Sequence, residues 1–264
     1  MLWSLTQPLS LTQPLQVRTE RWLELQELAG QAIYHRGQAN QPARLGQKLQ
    51  QIGDGISTAP RAEAVLVVDT DIGSVAVAES TTLHIQQLET LASGGRLTHL
   101  VVSQGQAKLN VRPFTNPDSQ INIQTPMGIV GVRGTEFGMA IQPSGKTGVV
   151  TLTGAVVSEA QGQAVEIESG FQSLIMPGEP PSPPVPITED PSLVIDRLQL
   201  LNRSRIHLVG RTDPFNVISV NDQPQNTDRN GKFDLTIASN PEGLNQVVVV
   251  TPLGQKQTYA LALD

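Results

Sequence analysis

The sequence predicts an all-β protein made of two domains joined by a proline-rich segment. Only 3% of the 264 residues are aromatic, while 23 are glycine and 19 are proline, so the cores must consist of Val, Ile, Leu and Ala between many turns. Apolar and polar residues alternate with a period of two along most of the chain, which is typical of short strands with one buried face. Seven prolines between Met176 and Leu193 mark the boundary.

Residues 1–20 are predicted to form a flexible tail. The segment Ser4–Leu9 is repeated at once as Ser10–Leu15, and this short proline-containing duplication has neither a helical nor a strand period. The first basic residue is Arg18, so the start does not resemble a standard export signal. Apolar runs are far shorter than the roughly 20 residues that a membrane-spanning helix needs, and no transmembrane segment is predicted.

Residues 21–176 are predicted to form the first β domain. The stretch from Arg21 to Ile33 also fits one face of a helix, but the strand signals that follow favour strands at Leu23–Leu25 and Ala32–Tyr34. The later predicted strands are Val65–Val68, Ser74–Val77, Thr82–Ile85, Leu100–Val102, Ala107–Val111, Ile121–Ile123, Val149–Leu152 and Val165–Ile167.

Residues 177–192 are predicted to be a linker, because their prolines leave few amides for a helix or a sheet. Such a composition favours polyproline II, which gives a semi-rigid spacer between the domains; a PxxP ligand for an aromatic groove is the alternative. Residues 193–264 are predicted to be a small β-sandwich. Its predicted strands are Ile206–Val209, Val217–Val220, Phe233–Ile237, Gln246–Thr251 and Thr258–Leu263.

Composition excludes several classes of function. The net charge of −6 works against a phosphate-binding surface, so no nucleic-acid partner is expected. Without cysteine there are no disulfides, thiolate metal sites or cysteine nucleophiles, and the four histidines are far apart in sequence. Neither a metal site nor a cofactor is predicted, and His84 is expected on the solvent side of a strand.

Catalytic motifs are also missing from the sequence. It contains no nucleophile elbow, phosphate loop or dinucleotide fingerprint, so no catalytic residue is predicted. Asp69 and Asp71 beside Gly73 are interpreted as turn residues rather than a hydrolytic pair. Asp228–Gly231 resembles the opening of a calcium loop but lacks the later glutamate, and a hairpin turn is the better interpretation.

Two blocks of the first domain resemble the FecR domain, an extracytoplasmic β module. The first is Gly53-Asp54-Gly55-Ile56-Ser57-Thr58, and the second and more specific one is Thr125-Pro126-Met127-Gly128-Ile129-Val130-Gly131-Val132-Arg133-Gly134-Thr135-Glu136-Phe137. The strand and turn that follow, ending at Gly154, also resemble the family. The resemblance covers most of residues 21–176 and implies a FecR-like β-sandwich or β-roll. The residues that carry it are Gly53, Asp54, Thr125, Pro126, Arg133, Gly134, Thr135, Phe137 and Gly154.

These residues are interpreted as structural. Gly134 is expected in a bulge or at a positive φ, and Phe137 is expected to anchor the core. No base stands at a fixed offset from Thr135, which argues against a nucleophile. Arg133 and Glu136 are expected either to pair with each other or to bind a partner.

Residues 193–264 resemble bacterial immunoglobulin-like modules. The resemblance depends on Val220-Asn221, Gly231-Lys232-Phe233 and Gly243-Leu244-Asn245-Gln246-Val247. Asp222 stands where these modules have glycine, and an Asn-Asp pair also tolerates a tight turn. The resemblance implies a small immunoglobulin-like β-sandwich.

Together the resemblances imply a non-catalytic binding or scaffolding protein of the cell envelope, periplasmic or extracellular, whose FecR-like domain recognises an envelope protein or a glycan. Two alternatives stay open: a glycan- or peptidoglycan-binding accessory of a carbohydrate-active enzyme system, and a periplasmic signal-sensing module without its own anti-sigma segment. Recognition is expected to use a surface or an exposed strand edge near the second block.

Overall fold

The computed structural model describes residues 21–70, 72–202, 204–238 and 244–262. The predicted tail at residues 1–20, Asp71, and Gly243 of the immunoglobulin-like resemblance lie outside these ranges. Every regular element of the described chain is a β-strand, as the sequence predicts. None of the described residues forms a helix that could span a membrane.

The N-terminal unit is a sandwich of two sheets, here called sheet A and sheet B. In order across sheet A lie β4 (Lys48–Leu49), β1 (Leu23–Ala29), β6 (Glu63–Val68), β7 (Gly73–Val77), β9 (Arg96–Val111), β12 (Glu136–Ile141), β13 (Thr147–Thr153), β16 (Phe171–Ile175) and β17 (Val185–Pro186).

Across sheet B lie β3 (Ala39–Pro42), β2 (Ala32–Arg36), β5 (Gly55–Thr58), β8 (Thr82–Thr90), the first part of β9, β10 (Gln120–Gln124), β11 (Ile129–Val132), β14 (Ala155–Ala160) and β15 (Gln163–Glu168). Neighbouring strands are antiparallel except β9 and β10, which run parallel. One continuous apolar cluster fills the space between the two sheets, because alternate side chains of each strand point inward.

Strand β9 belongs to both sheets. Residues up to Gln104 pair with β8 and β10 in sheet B, and residues from Gly105 pair with β7 and β12 in sheet A. Gly105 has φ 92°, and a Cβ there would lie 2.2 Å from the Thr81 hydroxyl oxygen. The two strands predicted at Leu100–Val102 and Ala107–Val111 are therefore one strand that changes sheet at a glycine.

The C-terminal unit has two smaller sheets. Sheet C consists of β18 (Leu193–Asn202), β19 (Arg205–Thr212) and β22 (Lys232–Ala238), and sheet D of β21 (Gln223–Gln225), β20 (Val217–Val220), β23 (Asn245–Val250) and β24 (Lys256–Leu261). Side chains from both sheets form a second apolar cluster that includes Leu208, Val247 and Phe233. The predicted sandwich is thus observed as two packed sheets, while its immunoglobulin-like character stays a prediction.

The proline-rich segment does not hold the two units apart. Val185 and Pro186 pair with the start of β16 as the last strand of sheet A, and the Ser173 hydroxyl donates a 2.7 Å hydrogen bond to the Ser182 carbonyl. Thr188 donates to the Asp213 carboxylate of the C-terminal unit at 2.6 Å. The interpretation of this segment as a spacer is therefore wrong, because its carbonyls and hydroxyls bond to both units. The domain boundaries at 176 and 193 stay a prediction.

Candidate functional site

The second signature block begins as a turn and continues through the middle of sheet B. Backbone amides of Met127 and Gly128 point at the Thr125 hydroxyl oxygen, at 3.3 and 3.2 Å, and the Thr125 amide donates to the Gly128 carbonyl at 2.8 Å. This closes the hairpin from β10 to β11 around Pro126. Because β11 lies between β10 and β14, it is not an edge strand, and the open edge of sheet B on this side is β15, two strands away.

The block ends where the chain crosses from sheet B to sheet A. Between β11 and β12 lies Gly134 with φ 133°, and a Cβ there would be 2.4 Å from Pro113 Cα. The return crossing from β13 to β14 passes beside it at Gly154, which has φ 75° and leaves only 2.8 Å between an added Cβ and the Gly134 carbonyl oxygen. The expected positive φ at Gly134 is observed, and both glycines are needed because two sheet crossings touch here.

The side chains around Gly134 have separate structural partners. Phe137 is fully buried in the core of the sandwich, as predicted. Glu136 forms a 2.9 Å ion pair with Lys108 of β9, and Arg133 donates to the Pro117 carbonyl. The expected pair between Arg133 and Glu136 is therefore wrong, because the crossing sends them toward different sheets. The hydroxyl of Thr135 is buried, which removes it from solvent.

The first signature block is a buried turn. Gly53 has φ 88°, and its amide donates to the Ile85 carbonyl at 2.8 Å. Asp54 is 2% exposed, and one of its carboxylate oxygens accepts the amides of Gln50 and Gln51 at 2.9 and 3.0 Å. This carboxylate holds the turn before β5 and is satisfied by the backbone.

Asp69 has a structural role that the sequence analysis missed. It follows β6 with φ 51°, and its buried carboxylate forms a 2.9 Å ion pair with the buried guanidinium of Arg21. Arg21 also donates to the carbonyls of Glu89 and Leu97, so it joins strands of both sheets. Burial lowers the pKa of Arg21, and Asp69 opposes that shift. The predicted turn residue is thus also one half of a buried cross-sheet pair.

Asp54, Asp69 and Glu136 each have partners within the fold, so their carboxylates do not form a reactive pair. The described residues contain no group of three or more His, Asp or Glu that could hold a metal ion.

The outer surface of sheet B, here called face B, is a broad polar surface with apolar patches. Cross-strand register places its side chains in two rows. One row contains His35, Gly55, His84, Val101, Gln124, Ile129 and Glu159, and the next contains Gln87, His99, Asn122, Gly131, Val157 and Glu166. Ile33 at 47%, Ile129 at 37% and Val157 at 45% are large apolar side chains exposed on this face. The signature strand β11 lies within it.

Two histidines that are far apart in sequence meet on face B. The ring centroids of His35 and His84 are 5.4 Å apart, and His35 is held by Asn40 and Ser57, each at 2.7 Å. His84 is half-buried rather than on an open solvent side, because it packs over Gly55, where a Cβ would be 2.1 Å from its Nδ1. Burial lowers the pKa of His84, and the neighbouring His35 adds to that shift.

The outer surface of sheet A is instead covered by the C-terminal unit at β12 and β13. A Cβ added to Gly138 of β12 would lie 2.2 Å from the Pro252 carbonyl oxygen, and one added to Gly148 of β13 would lie 2.9 Å from that of Phe215. Phe215 and Pro252 are buried. Glycine on these strands therefore lets the second unit approach the sheet backbone.

Lys146 is sealed in this interface and is only 1% exposed. Its ammonium donates to the Thr227 hydroxyl at 2.8 Å and to the Asp228 carbonyl at 2.6 Å. Gln142, also buried, donates to the Asn216 carbonyl at 2.9 Å. Burial lowers the pKa of Lys146 to about 8, although Asp228 and Asp213 oppose the shift.

A cleft of about 410 Å³ remains open beside the interface. Its floor contains Ala29, Ala76 and Ala78, and its rim is charged. The rim cations are paired within the protein, as Lys256 with Glu79 at 2.5 Å, Lys108 with Glu136 at 2.9 Å and Arg61 with Asp222 at 2.7 Å. These pairs neutralise the rim, so face B is the better candidate for a binding surface.

Part of the chain is similar to a known protein family. Residues 54–157 match the family model described as FecR protein. No curated protein matches the chain.

Two solved structures of a candidate anti-sigma factor from Parabacteroides distasonis ATCC 8503 are similar to part of this chain. They share 17% and 19% identity with TM-scores of 0.41 and 0.40, and each match covers 50% of this chain. The matched part is 59% of each of those chains, so this chain spans less than two thirds of their length. The matched residues 54–157 contain β5 to β13 and the first three residues of β14, so the similarity to the FecR family covers the middle of the N-terminal unit.

Proposed function

We propose that this protein is a non-catalytic binding module of the cell envelope and that its FecR-family domain recognises a protein partner through face B. The observation that supports this most is the asymmetry of the sandwich. Sheet A is covered at β12 and β13 by the C-terminal unit, which contacts Gly138 and Gly148. The large apolar side chains that sheet A exposes, Phe171 and Val185, lie on its last two strands, whereas face B keeps Ile33, Ile129 and Val157 exposed across its strands.

The composition of face B favours a protein over a glycan as partner. Ile129 and Val157 lie diagonally across the paired strands β11 and β14, and an exposed apolar patch with a polar rim is typical of a protein interface. Glycan sites usually present planar aromatic rings, and the two rows of face B contain no Phe, Tyr or Trp. A glycan- or peptidoglycan-binding accessory is therefore the weaker alternative.

A periplasmic signal-sensing module is the second candidate function. The family match at residues 54–157 favours it, since relaying a signal also requires recognition of another protein. A signal-sensing module would bind its partner through the same face B as a scaffold. The two differ only in whether binding is passed on as a signal. We also propose that the protein is located in the periplasm or outside the cell, on the basis of the same family match.

The test is capture of partners from an envelope extract, with binding to isolated peptidoglycan measured in parallel. The variant Ile129→Glu/Val157→Lys keeps the net charge and changes only face B. We expect it to lose captured protein by at least about tenfold, while Val185→Glu, an exposed position on β17 (43%), captures as the wild type does. Equal capture by both variants, or retention on peptidoglycan alone, would contradict the proposal.

A further inference from the structure

Strand β18 is a long open edge on the C-terminal unit, away from face B. Among the described strands it pairs with β19 alone, so one side of a ten-residue strand keeps free backbone donors and acceptors. Val194, Leu200 and Leu201 are 43%, 51% and 48% exposed. Natural sheets protect such edges with short strands, prolines, bulges or charges of one sign, most often lysine. Strand β18 is ten residues long, contains neither proline nor lysine, and its two charges, Asp196 and Arg197, have opposite signs.

A bulge at Asp196 gives β18 a symmetric facing pattern. In the ladder with β19, Ile195 pairs with Gly210 and Arg197 with Val209, so Asp196 is the extra residue. Leu193, Ile195 and Leu198 pack toward the core of the unit. Leu200 faces the same side by its register opposite the buried Ile206, although its side chain is 51% exposed. From Leu193 to Leu200 the side chains face the core side or the solvent side of sheet C in the order core, solvent, core, solvent, solvent, core, solvent, core. This order is the same when the strand is followed in the opposite direction.

This symmetry makes the strand complementary to itself. When two copies run antiparallel about an axis between Asp196 and Arg197, inward positions meet inward positions on both halves. Leu193 then lies opposite Leu200 of the second copy, and Ile195 lies opposite Leu198. Asp196 lies opposite Arg197 of the second copy, and the reciprocal pair forms as well. Opposite charges and apolar pairs across strands both stabilise a sheet.

We propose that two copies of this chain associate through β18, so that each three-stranded sheet C becomes half of a continuous six-stranded sheet. A second copy fits better than an unrelated strand because this register satisfies the facing pattern and the charges together. Arg197 forms no ion pair within the described residues, and Asp196 reaches Arg211 of its own chain at 3.2 Å. Each carboxylate would then lie between two guanidinium groups.

The test uses the full chain and measures mass against concentration by analytical ultracentrifugation. We expect a concentration-dependent dimer for the wild type. Arg197→Asp places like charges in both cross-strand pairs between residues 196 and 197, and it should raise the dimer dissociation constant at least about tenfold. Asp196→Arg should do the same. In an equimolar mixture of the two variants, both cross-strand pairs have opposite charges again. The mixture should therefore form heterodimers, although neither variant dimerises alone.

Lys232→Glu is the matched control, because it changes the charge by the same amount on β22, the other edge of sheet C. It should dimerise as the wild type does. A wild type that stays monomeric to about 1 mM would overturn the proposal. So would a dimer that Lys232→Glu dissociates and Arg197→Asp does not, or two variants that fail to associate when mixed although each keeps the wild-type circular dichroism.

Discussion

At the scale of single residues, Lys146 shows how the two units are joined. A buried ammonium is costly unless its hydrogens are bonded, and the partners of Lys146 are a hydroxyl and a carbonyl of the C-terminal unit rather than a carboxylate in contact. The charge is therefore tolerated only while the second unit lies on sheet A. This links the protonation of one residue to the stability of the whole interface.

Stability should consequently depend on pH through Lys146. Its pKa is about 8 in the folded protein against 10.5 for an ordinary lysine, so between these values the unfolded chain holds more protons and raising the pH favours folding. We expect the free energy of unfolding to rise by up to about 1.4 kcal/mol per pH unit in that window. Urea titrations at pH 7.5 to 10 measure it.

Lys146→Met should abolish this rise, while Lys232→Met, at an exposed position, should keep it. If the free energy of unfolding of Lys146→Met still rises with pH, the pH dependence comes from other groups.

Gly134 is the second residue with a measurable consequence. Valine there combines a positive φ with a Cβ 2.4 Å from Pro113 Cα, and we expect a loss on the order of 3 kcal/mol in the free energy of unfolding. Gly162→Val is the matched control, since Gly162 has φ 69° but nothing within 4 Å. It should cost about 1 kcal/mol. Equal losses in the two variants would mean that the contact at the sheet crossing is unimportant.

At the scale of elements, alternation predicted many of the strands and missed others, including β11 and β14, whose burial also alternates. Each predicted strand lies within or overlaps an observed one. Strand β12 was missed because five of its six residues are buried, which removes the alternation. The short edges β3, β4 and β17 were missed because their neighbours, rather than their own sequences, define them.

The candidate site was only partly predictable from sequence. Turn glycines such as Gly53 and Gly134 are visible because few other residues fit their backbone. Face B and the contact between sheet A and the C-terminal unit could not be predicted from the sequence, since both depend on which strands become neighbours. His35 and His84 are 49 positions apart in sequence and meet only through the pairing of β2, β5 and β8.

The close approach to β12 gives a prediction at this scale. Gly138→Ala adds a methyl group 2.2 Å from a backbone oxygen of the C-terminal unit, so the interface must open while sheet A stays paired. We expect faster proteolysis between residues 177 and 192 and a lower melting temperature. Gly131→Ala, whose added Cβ meets only side-chain atoms at 3.2 Å or more and one carbonyl at 3.9 Å, should change neither. Unchanged proteolysis of Gly138→Ala would show that the interface does not depend on this contact.

At the scale of the whole molecule, the two units should fold separately but stabilise each other. Each has its own apolar cluster, while buried polar groups such as Gln142, Lys146 and Thr227 lie between them. A chain of residues 21–192 should therefore keep the circular dichroism of a β protein and one cooperative unfolding transition. Its melting temperature should fall by several degrees because those groups become solvent-exposed. An unfolded fragment would contradict the predicted division into domains.

The strand shared by the two sheets has a mechanical consequence. Along β9, His99 and Val101 belong to face B, and Gln106 and Lys108 border the C-terminal unit a few residues later. The Gln106 side chain donates to the Thr251 carbonyl of that unit. A partner that pulls on face B therefore loads a single extended strand that continues under the other unit. Because β9 is continuous from sheet B to sheet A, the backbone itself is the shortest connection between face B and the C-terminal unit.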